Sequence, residues 1–295
     1  MNASNLKIAL FGNRYQTKKN IYVAAVLEKL NEIGADICIE KDFADFIQQN
    51  LHTNTSDYTT IDYKDFNADY AISMGGDGTF LNTAAKIGNS DIPILGINTG
   101  RLGFLADVSP DMIDEALNAL SNGECSTEQR TLIAVEKDGK PLSSYPYALN
   151  EVAVLKHDNS SLIEIETKVN NELLTNYMAD GLIVCTPTGS TGYSLSVGGP
   201  IIEPRSNSFC ISAVAPHSLS MRPVILCDDI EITLTVHSRS HHFLIAIDGR
   251  SESFNDGTTI TLRRAPYTIG VVKVKHKHFF DTLRDKMMWG ADQRI

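Results

Sequence analysis

Along the first part of the chain, short continuous apolar runs alternate with stretches whose apolar residues recur every three or four positions, which predicts strands and helices in turn. Leu6 to Phe11 is an apolar run ending at the turn pair Gly12-Asn13. Lys18 to Ile33 puts Val23, Leu27 and Leu30 on one helical face and stops at Gly34. Ile37 to Ile39 predicts a second strand, and Asp42 to Ser56, polar with a few apolar points, a helix and a loop. Asp69 to Met74 is a third strand, Thr79 to Ile87 a helix closed by Gly88, and Ile92 to Asn98 a fourth strand. Ser109-Pro110-Asp111 then opens a helix with an N-cap, a first-turn proline and an acid matched to the helix dipole, running to about Leu120 and stopping near Gly123. Such alternation predicts a mainly parallel sheet covered by helices, with ligands beyond the carboxyl ends of its strands.

After Cys125 the pattern changes. Thr131 to Val135, Ala148 to Leu155, Leu162 to Val169, Leu173 to Tyr177 and Leu182 to Cys185 are short strand-like runs. Phe209 to Ala215, Ile230 to Val236, Phe243 to Ile247, Thr259 to Arg263 and Thr268 to Val274 follow. Ile230, Ile232, Leu234 and Val236 share a face opposite Glu231, Thr233 and Thr235, and Asn170-Asn171 reads as a hairpin turn. No helix of ordinary length is predicted between Arg130 and Lys275. The expected fold is an α/β domain over 1–125 and an all-β, sandwich-like domain over 126–275. A tail over 276–295, helical and polar around Phe279 to Trp289, is expected to return to the first domain.

Composition narrows the class. A chain of 295 residues can bury a substantial core, in two domains or one large one. Lys and Arg number 26 against 36 Asp and Glu, a net charge of −10. That balance argues against a general nucleic-acid or membrane-surface binder, while a local nest of N–H groups or a metal can still hold an anionic ligand. Cys38, Cys125, Cys185, Cys210 and Cys227 are odd in number and lack C-x-x-C spacing, so neither a disulfide framework nor a metal site is expected. The start, Met1 to Asn5, has no basic or apolar signal region, and the longest apolar runs are far short of a membrane span. The expectation is a soluble cytoplasmic protein.

Candidate chemistry begins at Met74-Gly75-Gly76-Asp77-Gly78-Thr79, directly after a strand and before a helix. Glycines let the backbone approach a phosphate closely, and the helix aims its free N–H groups and positive dipole end at the anion. Gly75, Gly76, Gly78 and Thr79 are therefore candidate phosphate contacts. Asp77 among such donors repels phosphate unless a metal or hydroxyl intervenes, which suits a kinase whose aspartate faces the accepting hydroxyl. The plain alternative is a tight turn with Asp77 as helix cap.

A second cluster, Thr186-Pro187-Thr188-Gly189-Ser190-Thr191-Gly192-Tyr193-Ser194, precedes Gly198-Gly199-Pro200 and follows Asp180-Gly181. Its hydroxyls and glycine-exposed N–H groups form a donor-rich loop suited to phosphates and ribose, and Tyr193 offers a face to a base or nicotinamide ring. Read plainly, it is a polar surface loop. Asn150-Glu151 interrupts an apolar strand, where adjacent residues point to opposite faces, so one would meet a core unless a site or a bend lies here. A buried carboxylate there needs a partner.

In this order, these motifs resemble the NAD kinase family, bacterial type. The resemblance extends to Gly96-Ile97-Asn98-Thr99-Gly100-Arg101-Leu102-Gly103-Phe104-Leu105, to Ser194-Leu195-Ser196, and to Leu283-Arg284-Asp285-Lys286 with Trp289-Gly290, spanning about residues 6 to 290. It implies an N-terminal α/β domain, a C-terminal β domain and an active site in the cleft between them. Asp77 corresponds to the general base and Gly78 to its neighbour at the dinucleotide. Asn150 is similarly placed to the family's adenine contact and Glu151 to its ribose contact. Asp180, Thr191, Gly192, Tyr193, Ser194, Leu195 and Ser196 match further dinucleotide contacts, and Phe104 a ring lining that pocket. Gly192 departs from the alanine of many members. Asp248-Gly249-Arg250 matches an Asp-Gly-polar turn with arginine in place of the common glutamine, leaving Arg250 either a phosphate contact or solvated.

The implied activity is transfer of the γ-phosphate of ATP, with Mg²⁺ or another divalent cation on the donor phosphates, to the 2′-hydroxyl of the adenosine ribose of NAD. NAD and ATP are the expected partners, and the family implies a homo-oligomer. A lipid or sphingoid-base kinase sharing the glycine-acid motif is one rival, disfavoured by the lack of a basic amphipathic element. A non-catalytic NAD(P)-binding regulator is another, disfavoured by the presence of Asp77. Arg101, Arg205 and Arg250 are unranked candidates for the triphosphate.

Overall fold

The computed structural model describes residues 5–13, 20–51, 55–62, 66–100, 103–142, 144–157, 162–274 and 278–290. The chain forms two compact units, one of residues 1–129 with 269–295 and the other of residues 130–268. The expected boundaries at 125 and 275 differ from these, because two long strands each run through a unit boundary.

The first unit alternates strand and helix. β1 (Lys7–Gly12), α1 (Asn20–Glu32), β2 (Asp36–Glu40), α2 (Lys41–Leu51) and β3 (Thr59–Ile61) lead to β4 (Tyr70–Gly75) and α3 (Asp77–Ile87). β5 (Ile94–Asn98), α4 (Ile113–Ser121) and the start of β6 (Cys125–Lys137) follow. The strands pair in parallel in the order β3-β2-β1-β4-β5. Ile8, Leu10, Ile72, Met74, Leu95 and Ile97 face α1, α2 and α4 through Val26, Leu30, Phe43, Ile47 and Leu117. Ser73 faces the other way and meets Thr83 of α3, hydroxyl to hydroxyl at 3.0 Å. Burial on both faces is why these strands read as continuous apolar runs. Strand order reverses between β1 and β4, a crevice where ligands of such sheets bind, and the glycine-acid turn follows β4.

The second unit takes up β6 and continues through β7 (Lys140–Pro141), β8 (Tyr147–Ala148), β9 (Glu151–Lys156), β10 (Ile163–Val169), β11 (Glu172–Ala179) and β12 (Gly181–Cys185). A 3-10 turn (Thr188–Thr191) and the single-turn α5 (Tyr193–Ser196) precede β13 (Ser208–Val214), β14 (Val224–Cys227), β15 (Ile232–Ser238), β16 (His242–Ile247), β17 (Arg250–Asn255) and β18 (Thr259–Val274). One antiparallel sheet runs β14-β13-β12-β9-β16-β17, and the other carries β11-β10-β15 against β18. Ile163, Ile165, Ile232, Leu234 and Val236 of one sheet and Val152, Val154, Val184, Phe209, Phe243 and Ile245 of the other belong to one buried cluster. This is the expected sandwich. Asn170 and Asn171 both take positive φ (48° and 68°) in the β10–β11 hairpin.

The chain then returns to the first unit. The end of β18 pairs in parallel with β5, Val271 opposite Ile94, and α6 (Phe279–Met287) buries Thr282 and Leu283. Several local expectations need correction. Thr259 to Arg263 and Thr268 to Val274 are one strand. The run from Ala148 to Leu155 breaks at Leu149-Asn150. Ser109 makes no side-chain cap, and a 3-10 turn (Pro110–Met112) precedes α4. β3, β7 and β17 carry too few or too weakly patterned apolar residues to be foreseen, β17 being a polar edge strand, and the short apolar run of β14 was not assigned a strand. No helix among the described residues is long and apolar enough to cross a membrane.

Gly96 of β5 shows how closely the sheet approaches the loop after it. A Cβ there would lie 2.6 Å from the Ala106 Cα and 2.8 Å from the Leu105 carbonyl oxygen. Gly96→Ala is therefore expected to lower unfolding free energy by about 1–3 kcal/mol, as overpacking does. Denaturant unfolding checks this; an unchanged midpoint would mean the contact yields freely.

Candidate active site

Asp77 is the first residue of α3, not its cap; Gly76 holds that position, and its carbonyl takes the N–H groups of Thr79 and Phe80. Gly75 gives room to Thr79, whose hydroxyl would lie 2.2 Å from a Cβ. Freed from capping, the Asp77 carboxylate reaches the loop after β5. Its Oδ1 accepts the N–H groups of Leu105 and Ala106, both at 3.0 Å, and its Oδ2 accepts that of Phe104 at 2.9 Å. Three successive amides thus converge on one carboxylate, a small nest of backbone donors. Gly103 makes the approach possible, because a Cβ there would sit 1.9 Å from Asp77 Oδ1.

The loop is itself anchored. Asn98 donates from Nδ2 to the Ala106 carbonyl at 3.2 Å and accepts the Gly100 N–H. Asp107 pairs with Lys273 of β18 at 2.5 Å, both nearly buried. From α6, the Lys286 ammonium lies 3.6 Å from Asp77 Oδ2 and 4.5 Å from the centre of the Phe104 ring, which also meets Phe279 at 6.1 Å. Gly78 is exposed on the first turn. Arg101 lies outside the described residues.

In the second unit a matching device organises Asn150 and Glu151. Asp248, at positive φ (47°) in the turn between β16 and β17, accepts the N–H groups of Leu149, Asn150 and Glu151 at 2.7, 2.9 and 3.1 Å. The run bends there, which answers how two adjacent polar residues fit an apolar strand. Thr186 completes the bend: its hydroxyl donates to the Leu149 carbonyl at 2.6 Å, accepts the Gly189 N–H, and its own N–H bonds the Asn150 carbonyl. Gly189 cannot be larger, since a Cβ would meet the Asn150 carbonyl oxygen at 2.1 Å.

The Glu151 carboxylate takes the Tyr193 N–H, but its Oε2 and the Asn150 Oδ1 are buried without a hydrogen-bond partner. Burial, and next the Asp248 charge, push the Glu151 carboxyl up to about 7. Burial also raises Asp248, with its three amides opposing. Gly192 faces this acid: a Cβ there would lie 2.7 Å from Oε2.

The hydroxyl-rich loop turns inward more than its composition suggests. Ser190 donates to the Pro187 carbonyl and accepts the Ile202 N–H, Thr191 donates to the Thr188 carbonyl, and Ser194 pairs with Ser212. Tyr193 and Ser196 are exposed and Leu195 half-buried. Asp180 is held by Lys156 at 2.7 Å. Arg250 is half-buried: it donates to the Ile247 and Tyr147 carbonyls and stacks 5.0 Å from the centre of the Tyr145 ring. Arg205 is exposed and paired with Glu203. Lys156 was not singled out from sequence, and Asp248, Thr186 and Lys286 appeared there only within quoted motifs, with no individual role given to them. Among the described residues no group of three or more His, Cys, Asp or Glu is arranged to hold a metal.

Glu151 binds its proton more tightly in the folded chain than in the unfolded one, so its contribution to stability falls as pH rises from about 4.5 to about 7. Glu151→Gln removes that ionisation. Its melting temperature is expected to exceed that of the unsubstituted protein at pH 8 and to converge with it near pH 4. Thermal melts at the two pH values decide; a lower melting temperature for the variant at pH 8 would contradict the buried, unpaired acid.

Comparison with known proteins places the chain. Models of the ATP-NAD kinase N-terminal and C-terminal domains match residues 8–125 and 149–274. The chain is 53% identical over 290 residues to the NAD kinase of Bacteroides fragilis, covering 98% of this chain and 100% of that one. It is 45% identical over 288 residues to the NAD kinase of Porphyromonas gingivalis, covering 98% and 99%. The crystal structure of yeast NADH kinase complexed with NADH shares the fold with a TM-score of 0.88 at 22% identity, covering 100% of this chain and 91% of that one. An NAD kinase from Archaeoglobus fulgidus in complex with ATP shares it at 0.75 and 24%, covering 96% and 99%. The chain belongs to the NAD kinase family.

Proposed function

We propose that this protein transfers the γ-phosphoryl group of ATP to the 2′-hydroxyl of the adenosine ribose of NAD. The observation that carries the reading is the Asp77 carboxylate, fixed by three amides at the first turn of a helix beyond the carboxyl end of the interior strand β4. A carboxylate has about four acceptor sites. Two on Oδ1 are taken by Leu105 and Ala106 and one on Oδ2 by Phe104, so Oδ2 retains a site for the proton of the accepting hydroxyl.

In this mechanism the hydroxyl O–H bond breaks toward Asp77 Oδ2 as the oxygen's lone pair forms a bond to the γ-phosphorus. The bond from that phosphorus to the bridging oxygen breaks, and its electron pair leaves with ADP. Gly75, Gly76, Gly78 and Thr79 line the phosphates. A divalent cation, Mg²⁺ foremost, enters as part of the ATP substrate and neutralises phosphate charge. In the second unit Asn150 Oδ1 and Glu151 Oε2 each lack a donor, at a cost on the order of 1–3 kcal/mol apiece, which an amino group and a hydroxyl of the nucleotide would relieve. Asp180, Thr191, Gly192, Tyr193, Ser194, Leu195 and Ser196 are the accompanying contacts, Phe104 a ring beside the base, and Arg250 steadies the Asp248 turn. Exposed Leu173, Met178, Leu219 and Ile225 support self-association, whose subunit number light scattering reports.

Asp77→Asn keeps the side chain's shape but cannot take the proton, and turnover is expected to fall about 10²–10⁴-fold, the usual worth of a general base. Affinity for NAD should be retained. A small loss of thermal stability should accompany it, since an amide nitrogen would oppose the Phe104 N–H. Steady-state kinetics with NAD and Mg-ATP on the purified variant check this; near-normal turnover would remove Asp77 as base.

A further inference from the structure

A kinase that sets an aspartate beside a triphosphate needs a cation to offset their repulsion, and three arginines offered themselves from the sequence. Arg205 is paired with Glu203 on the surface, Arg250 is held by two carbonyls and Tyr145, and Arg101 lies outside the described residues. Among the described residues, the cation that reaches Asp77 comes from elsewhere. Lys286, on α6, stands 3.6 Å from Oδ2, the oxygen with an acceptor site left.

The position is built. Thr282 and Leu283 bury the inner face of α6, Phe279 packs on Phe104, and the Lys286 ammonium rests over the same Phe104 ring. The Phe104 N–H is in turn one of the three that hold Asp77. Helix, ring, amide and carboxylate form one chain of contacts. The ammonium is too far from Oδ2 for a hydrogen bond and about one third exposed, so its donors are open to another anion. Neighbouring charges have their own partners: Asp107 with Lys273, Asp281 with Arg284, and Lys86 with Glu40.

We propose that Lys286 is a catalytic residue, the side-chain cation that binds the oxygens of the γ-phosphoryl group while it passes to the acceptor. The proposal rests on the phosphotransferase reading above. As Asp77 Oδ2 takes the hydroxyl proton, the carboxylate loses its charge and its hold on the ammonium. The Lys286 ammonium then turns its attraction to the transferring phosphoryl group and to the bridging oxygen, where negative charge builds as the bond to ADP breaks. The interaction is therefore stronger in the transition state than in the resting complex, which raises kcat more than it lowers either KM.

The test compares Lys286→Met, which keeps the stem and removes the charge, with Lys286→Arg, which keeps the charge. Each is assayed for NADP formation with Mg-ATP, for NAD affinity by calorimetry, and for melting temperature. Lys286→Met is expected to lower kcat about 10²–10³-fold, the usual loss on removing a transition-state charge partner. Its NAD affinity and melting temperature should stay near those of the unsubstituted protein. Lys286→Arg should recover all but about tenfold, its planar head fitting less well. A kcat for Lys286→Met within about threefold of the unsubstituted protein would overturn the proposal. So would equal impairment of both variants with a lowered melting temperature, which would make Lys286 only a packing residue of α6. Failure of the unsubstituted protein itself to form NADP would instead refute the parent reading.

Discussion

Both units depend on one device, an aspartate whose two oxygens collect three consecutive backbone amides. Asp77 gathers Phe104, Leu105 and Ala106, and Asp248 gathers Leu149, Asn150 and Glu151. Buried amides without acceptors are costly, and so is a carboxylate drawn from water; each satisfies the other. The charge thereby shapes the loop, which has little regular structure of its own. In the first unit Gly103 opens the space, Asn98 and the Asp107–Lys273 pair fix the ends, and the anion closes the middle. The residue proposed as the base is thus also the keystone of its own loop, and removing its charge touches both chemistry and order.

In the second unit the proposed binding role is set against stability at one bend. Asp248 fixes the backbone at Asn150 and Glu151, yet burial there and, after it, the Asp248 charge make Glu151 a reluctant carboxylate, pushed up to about 7. Leaving Oε2 and the Asn150 Oδ1 without donors weakens the fold locally. Sites that must receive a ligand often carry such a burden, balanced by packing elsewhere. Here the balance comes from the sandwich core beneath, where Val152 and Val154 of β9 are fully buried.

Much of the fold was legible because the physics is local. Strands buried on both faces leave continuous runs such as Ile8 to Phe11, and half-buried ones leave alternation such as Ile232, Leu234, Val236. The polar edge strand β17 and the three-residue β3 leave neither. The site was legible in outline only. The glycine-acid turn and the Asn-Glu pair stand out by composition, but their partners lie far along the chain. Asp77 finds its amides 27 to 29 residues later, and Asp248 its own nearly a hundred residues earlier. A helix-cap reading of Asp77 considers only neighbours, and therefore misplaces the carboxylate. The loop from Thr186 to Ser194 looked like a set of free donors, whereas Thr186, Ser190, Thr191 and Ser194 use their hydroxyls to fold the loop itself. Lys286 stood in a quoted motif but carried no local signal of a role, because its meaning depends on where α6 docks.

The central claim is a phosphoryl transfer directed to one hydroxyl of one nucleotide. Phosphorus NMR of a reaction containing the protein, NAD and Mg-ATP tests it most directly, since a ribose 2′-monophosphate resonates apart from the pyrophosphate and from ADP. The account predicts one new monophosphate signal growing in step with ADP, from a product that an NADP-specific dehydrogenase reduces completely. ADP formed without that signal, or a monophosphate that the dehydrogenase refuses, would contradict it.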